Sequence, residues 1–284
     1  MSSLEIAELI NDINAKYQFY SNIFILFTGV IGNILVILIF TRLKMFRDNR
    51  SAYYLVIESL TDIGVLLSLL PYNITGYVFA QSPVISSVVW CKLRLMISYS
   101  CGLYSLYTVC FLAFDQYLST NYRATWRQMS TLQLAHCLTL GNLIFALIHG
   151  ILFVIFGDVG ASGCAIYQPG LKIYFTFVFY PILSSFIPFI ISNLFGVLAY
   201  RNVRRIIRRQ ISLERRRLDR QMTAIALVRV ICMTILGIPF IIVSLIGLNI
   251  SYKDDDYVKL AVFNLFLEIA NILLYIAFSV SKHI

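Results

Sequence analysis

The stretch 17-YQFYSNIFILFTGVIGNILVILIFT-41 decides how this chain folds. It runs from Tyr17 to Thr41 without a single Asp, Glu, Lys or Arg. A helix that crosses the hydrocarbon core of a bilayer needs about 20 predominantly apolar residues. This segment therefore reads as a membrane-spanning helix. The residues before it, Met1 to Lys16, are polar and carry Glu5, Glu8 and Asp12. They lack the basic start and apolar centre of a cleaved signal peptide, so the first span itself directs insertion.

Six more segments of the same kind follow, at about 52–71, 88–118, 131–156, 173–200, 222–248 and 257–280. Pro181 and Pro188 fall in the fifth and Pro239 in the sixth. In hydrocarbon every backbone polar group must be satisfied internally, which leaves closed helices for segments of this length. The expected fold is an all-α membrane protein, a bundle of seven transmembrane helices. Residues 1–16 precede the bundle, residues 17–280 form it, and residues 281–284 make a short cytoplasmic end.

Composition agrees. The chain has 284 residues, 59% of them hydrophobic and 13% charged, with a mean hydropathy of +0.80. Soluble domains run at about 45–50% apolar and about 25% charged. An ordinary soluble enzyme, a disordered chain and a small disulfide scaffold are excluded on that ground. The net charge of +9 does not mark a nucleic-acid surface, because nine of the 23 basic residues are arginines packed between Arg201 and Arg220. Such a run beside apolar spans fits a cytoplasmic membrane face, where it meets anionic lipid. Loops on that side also hold Arg42, Lys44, Arg47, Arg50, Arg123, Arg127 and Lys282, against Lys16, Lys92, Arg94, Lys172, Lys253 and Lys259 on the other. The positive-inside rule then places the N-terminus outside the cell.

Short motifs lie along this frame. The first span holds Gly32-Asn33 followed by Val36, and the second Leu60-Thr61-Asp62. The third opens on Trp90-Cys91 and closes on Asp115-Gln116-Tyr117. The sixth holds Pro239, and the seventh Asn271-Ile-Leu-Leu-Tyr275. In this order and at these spacings the chain resembles the rhodopsin-like (class A) G-protein-coupled receptors, in the style of invertebrate orphan receptors near the peptide-receptor branch. The resemblance covers all seven helices. It implies a multi-pass plasma-membrane receptor, not an enzyme, in which an extracellular ligand moves helix 6 and engages a heterotrimeric G protein.

Four departures bear on activation. The arginine of the family's Asp-Arg-Tyr is Gln116, the switch tryptophan is Gly237, the helix 7 proline is Ile272, and a frequent helix 5 tyrosine is Gly196. The resemblance assigns the activation switch to Asp115, Gln116, Tyr117, Pro239 and Tyr275.

The resemblance also pairs Cys91, at the outer end of helix 3, with Cys164 in the second outer loop. Thiols facing the cell exterior are oxidised; the alternative is two unpaired thiols. Asp62 lies about 18 Å along helix 2 from Arg50, near the bilayer centre. An intramembrane acid there is a functional-site candidate. The resemblance implies a sodium ion held by Asp62 and Ser105, with Asn33 and Asn271 as neighbouring amides and Glu268 as an extra acid. The alternative is a protonated Asp62 in a structural network. Glu58 and Arg229 lie at similar depth, about 12 and 13.5 Å from Arg50 and Arg220 respectively. Since an unpaired charge at that depth is costly, an ion pair between them is expected. The alternative has Arg229 snorkelling to headgroups beside a protonated Glu58.

For the ligand pocket the resemblance points to Ser98, Tyr99, Gly237 and Leu265. Ser98 stands where amine receptors carry an aspartate, and Leu265 where opsins carry the retinal lysine. Both argue for a peptide over an amine or retinal. Asp254-Asp255-Asp256 would attract a basic peptide, or are simply solvated. Asn73-Ile-Thr75 and Asn249-Ile-Ser251 are glycosylation sequons. Two other functions compete: a cation or proton transporter using Glu58, Asp62 and Glu268, and a receptor that no longer signals. No metal beyond sodium is expected, since His136 and His149 are too far apart to share one.

Overall fold

Long apolar segments that must close their own hydrogen bonds become helices, and a computed structural model of the chain forms them. It describes residues 3–43, 46, 49–78, 87–160, 163–206, 213–249 and 257–279, without the side chains of 206, 213–220, 248 and 249. Among the described residues seven helices are long and apolar enough to cross a membrane: Ser3–Arg42, Arg50–Val78, Val88–Ser119, Leu132–Phe156, Pro169–Arg205, Gln221–Gly247 and Tyr257–Ser279. They are called spans 1 to 7 below.

Span 1 departs most from the sequence reading. Its helix begins at Ser3, not Tyr17, and is 40 residues long. Lys16 and Asp12, one turn apart, pair at 2.7 Å, and Glu5 sits in the first turn against the positive end of the helix dipole. The polar residues thus prolong the helix by about 20 Å instead of leaving it. Span 5 also differs. Phe175–Phe186 winds as a π-helix around Pro181. Proline supplies no N–H and its ring crowds the preceding turn, and a widened turn absorbs both. Ser185 caps the irregularity by donating to the Tyr180 carbonyl, five residues back, at 2.8 Å.

Span 3 is the central helix, in contact with spans 2, 4, 5 and 6. Its polar side chains hold neighbours in place. Asn142 of span 4 donates to the Tyr104 carbonyl at 2.9 Å, and Ser100 donates to the Ala146 carbonyl at 3.2 Å. Gly150 permits that second contact, because a Cβ there would collide with the Ser100 hydroxyl. Around this axis lie buried apolar clusters, one at Leu66, Leu70, Met233, Ile272 and Phe278 and another at Leu95, Phe153, Phe175 and Phe179. Phe24, Phe27, Ile144, Ile190 and Ile235 point outward, as residues facing lipid do.

Between spans 4 and 5 two short strands, β1 (Gly157–Gly160) and β2 (Gly163–Ile166), pair antiparallel with Val159 opposite Cys164. The hairpin carries Cys164 to Cys91, and the two form a disulfide with 5.6 Å between their Cα atoms. The bridge closes a separation of 73 residues. Changing either cysteine to serine should lower stability by about 2–4 kcal/mol, seen as less protein at the cell surface. Undiminished surface labelling of both single variants would count against that role.

Candidate functional site

Asp62 and Glu58 are one turn apart on span 2, so the helical repeat puts both on one face. That face meets Arg229 of span 6. The guanidinium donates its Nε to Glu58, its Nη1 to the Ala277 carbonyl of span 7, and its Nη2 to Asp62 Oδ2 at 3.1 Å. Ser105 of span 3 donates to Asp62 Oδ1 at 2.6 Å. Glu58, Asp62 and Ser105 have no exposed surface, and Arg229 is 3% exposed. One planar guanidinium, with its five donors in a fixed fork, thus ties helix 6 to helices 2 and 7 in the middle of the bundle. The ion pair expected from matched depth is present in the structure, with a second carboxylate and a backbone carbonyl added.

These contacts answer the sodium expectation. Both Asp62 oxygens are engaged, one by Ser105 and the other by the Arg229 guanidinium. Of the remaining expected ligands, Asn33 donates its amide to the Gly29 and Phe278 carbonyls at 3.0 and 3.4 Å. Glu268 accepts from Gln18 of span 1 at 2.9 Å, and Asn271 faces that same carboxylate and the central cavity. The residues present do not fit a sodium ion, because a fixed positive charge already lies against the carboxylate that would bind it.

The misplacement of Asn271 and Glu268 has one physical origin, the register of helix 7. The residue of span 7 that meets Asn33 is Phe278, seven positions beyond Asn271 and so about 10 Å deeper. Tyr275 moves with it: it lines the cavity rather than the end of the bundle where Asp115 and Gln116 lie. Its hydroxyl is reached by the side chain of Asn73. Asn73 lies inside the helix Arg50–Val78 and is half-buried. The first sequon thus falls within the last turns of a helix. The side chain of Asn249 and residues 250–256, with the three aspartates, lie outside the described residues.

Above the polar core is a cavity of about 430 Å³. Ser98, Tyr99 and Gly237 line it, as does Phe240. Leu265 does not. The lining residues of span 7 are Leu267, Asn271, Leu274, Tyr275 and Phe278, and the helical repeat that turns these inward turns Leu265 away. Tyr99 stacks on Phe153 with centroids 4.1 Å apart and shares a 2.5 Å hydroxyl–hydroxyl contact with Tyr180. At Gly237 a Cβ would collide with the Phe189 ring, so the span 5 phenylalanine occupies the space beside this glycine. The floor of the cavity includes Phe278, next in sequence to the carbonyl that Arg229 holds.

At the other end of the bundle, Asp115 accepts from Ser130 at 2.5 Å and lies 3.9 Å from the Arg50 Nε of span 2. Gln116 joins three helices: its Nε2 donates to Ser51 of span 2 at 2.6 Å, and its Oε1 accepts from Thr223 of span 6 at 2.7 Å. Tyr117 packs against Phe195 and Trp126. Pro239 stands inside the helix Leu213–Asn249. Sequence reasoning missed Ser51, Thr223 and Ala277, because a small hydroxyl at a helix end or a bare carbonyl carries no pattern of its own. For Asp62 as a partner of Arg229 the signal existed, in its four-residue spacing from Glu58.

No curated protein matches the chain. The seven-transmembrane receptor family (rhodopsin family) matches residues 32–278, from within span 1 to the end of span 7. Seven apolar helices, a disulfide from the N-terminal end of span 3 to the hairpin, and a central cavity beside a polar core accompany that match. The chain belongs to the rhodopsin family of seven-transmembrane receptors.

Proposed function

We propose that this receptor, with its N-terminus outside, converts ligand binding in the central cavity into an outward swing of helix 6 that a heterotrimeric G protein reads. One observation carries the reading: Arg229 fixes helix 6 to helices 2 and 7 directly beneath the cavity floor. A ligand pressing on span 7 near Phe278 biases the Ala277 carbonyl and with it the guanidinium. It shifts the equilibrium only by its difference in affinity for the two helix 6 positions. The arrangement favours a receptor over a transporter, since both carboxylates on span 2 are engaged by a tethered cation. Asp62 and Ser105 act here as anchor points for Arg229, while Asp115, Gln116 and Tyr117 close the inner end.

Gln116 provides the test at that inner end. It stands where the family has the arginine that meets the G protein, and its amide clasps helix 6 through Thr223. Gln116→Ala removes two side-chain hydrogen bonds worth about 1 kcal/mol each. Basal nucleotide exchange on a co-expressed G protein should rise roughly five- to thirtyfold at equal surface expression. Gln116→Arg should change coupling more than it changes thermal stability. If neither variant moves basal or evoked exchange, the residue does not gate helix 6.

A further inference from the structure

A second guanidinium lies inside the bundle, and it has no acid against it. Arg94 is on span 3 one turn below Cys91, and is 6% exposed. Its guanidinium carbon sits 3.8 Å from the centroid of the Tyr72 ring. Its Nε is buried without a hydrogen-bond partner. Among the described residues no carboxylate is within ion-pair distance of it. A cation–π contact replaces only part of the hydration that a buried guanidinium gives up. Arg229, at the core, shows what the full complement looks like in this protein.

Arg94 sits one helical turn from the cavity wall. The Arg94 carbonyl accepts from the Ser98 hydroxyl at 2.7 Å, and Ser98 and Tyr99 are cavity-lining residues one turn further in. The other rings within electrostatic reach of the guanidinium are Tyr99 and Tyr275, which line the same space. Arg94 does not itself line the cavity but borders it through these two rings, and the cavity walls are aromatic and aliphatic, relieved by Ser98, Ser184, Ser185, Ser244 and Asn271. A pocket of about 300–1,000 Å³ takes a small organic ligand or the end of a peptide.

We propose that Arg94 anchors a ligand bearing a carboxylate, whose apolar body fills the central cavity. The assignment rests on the receptor reading for its biological use, though binding itself does not require signalling. A carboxylate accepts two parallel N–H bonds from a guanidinium, stronger than neutral pairs and stronger still away from water. An amine at this place would be repelled. The carboxylate has two natural sources, a small organic acid and the free C-terminus of a peptide.

The test uses the purified full chain in detergent and reads its Tm. The probes are 3-phenylpropionic acid and indole-3-acetic acid with their primary amides, and Leu-Phe as free acid and as C-terminal amide. At least one acid should raise Tm by a few °C at saturating concentration, and its amide should not. Success with the small acids alone indicates an organic acid, and success with the dipeptide acid alone a peptide terminus. Arg94→Gln should abolish the shift, and Arg94→Lys should retain it with about tenfold weaker binding, since an ammonium is a point charge without the fork. The acid–amide comparison in the wild type stands even if the variants fold poorly. Absence of a shift with every acid, equal shifts with acid and amide, or an unchanged shift in Arg94→Gln would each overturn the assignment. So would binding that appears only after Asp254, Asp255 and Asp256 are all neutralised, since the partner would then be the chain's own acids. A protein that binds the acids yet never activates a G protein keeps this inference and loses the signalling one.

Discussion

Arg229→Met is expected to lower stability by about 3–5 kcal/mol and to make the receptor responsive to sodium. Two fully buried carboxylates, Glu58 and Asp62, share this guanidinium. Methionine keeps most of the length and volume but leaves both acids facing a gap without a cation. Removing one partner of a buried ion pair is costly mainly because the remaining charge stays desolvated. The same gap exposes Asp62 Oδ2 beside Ser105, the kind of oxygen set a hard cation seeks. The wild type should therefore have the same Tm in sodium chloride and in choline chloride at equal ionic strength, while Arg229→Met should be more stable in sodium. A wild-type Tm that rises with sodium would show that the guanidinium does not hold the cation's place. A methionine variant as stable as wild type in choline would remove the energetic argument as well.

Glu58→Gln is the second large effect, and it falls on activity. The carboxylate is the acceptor for the Arg229 Nε, and it belongs to helix 2, away from which helix 6 swings in the proposed activation. Turning a charged acceptor into a neutral amide weakens a charge-assisted hydrogen bond worth about 1.5–3 kcal/mol. If that bond exists only in the closed arrangement, the open fraction rises by roughly ten- to a hundredfold, at about 1.4 kcal/mol per factor of ten. Basal G-protein activation in cells should rise accordingly, up to the ceiling set by the closed population. Exchanging the charges, Glu58→Arg with Arg229→Glu, should restore closure only in part. The new glutamate would face Asp62, which holds the other arm of the fork. Full restoration by the exchange would mean that Asp62 contributes nothing to the closed state, and an unchanged basal level in Glu58→Gln would sink the lock itself.

Sequence and tertiary structure divided the work along a clear physical line. Hydrophobicity and helix rise are properties of one segment at a time. Tyr17–Thr41 declares a span without reference to anything else, and the fixed rise per residue sets Glu58 and Arg229 at one depth before any packing is known. The Cys91–Cys164 bridge follows from the family likeness, and the hairpin supplies the geometry. The rotation and register of one helix against another belong to no single segment. Asn271 and Tyr275 matched a motif by spacing alone, yet Asn33 meets Phe278, and both matched residues sit in the cavity wall two turns or one turn further out. Span 1 shows the same limit at its polar start, where an i,i+4 ion pair prolongs a helix that composition would end. The cation's place was settled in three dimensions too. Composition marked Asp62 as an acid needing a partner, and only the packing of helix 6 against helix 2 brought Arg229 to it. Side chains from distant segments compete for the same oxygen atoms, and the outcome depends on distances that no one-dimensional spacing contains.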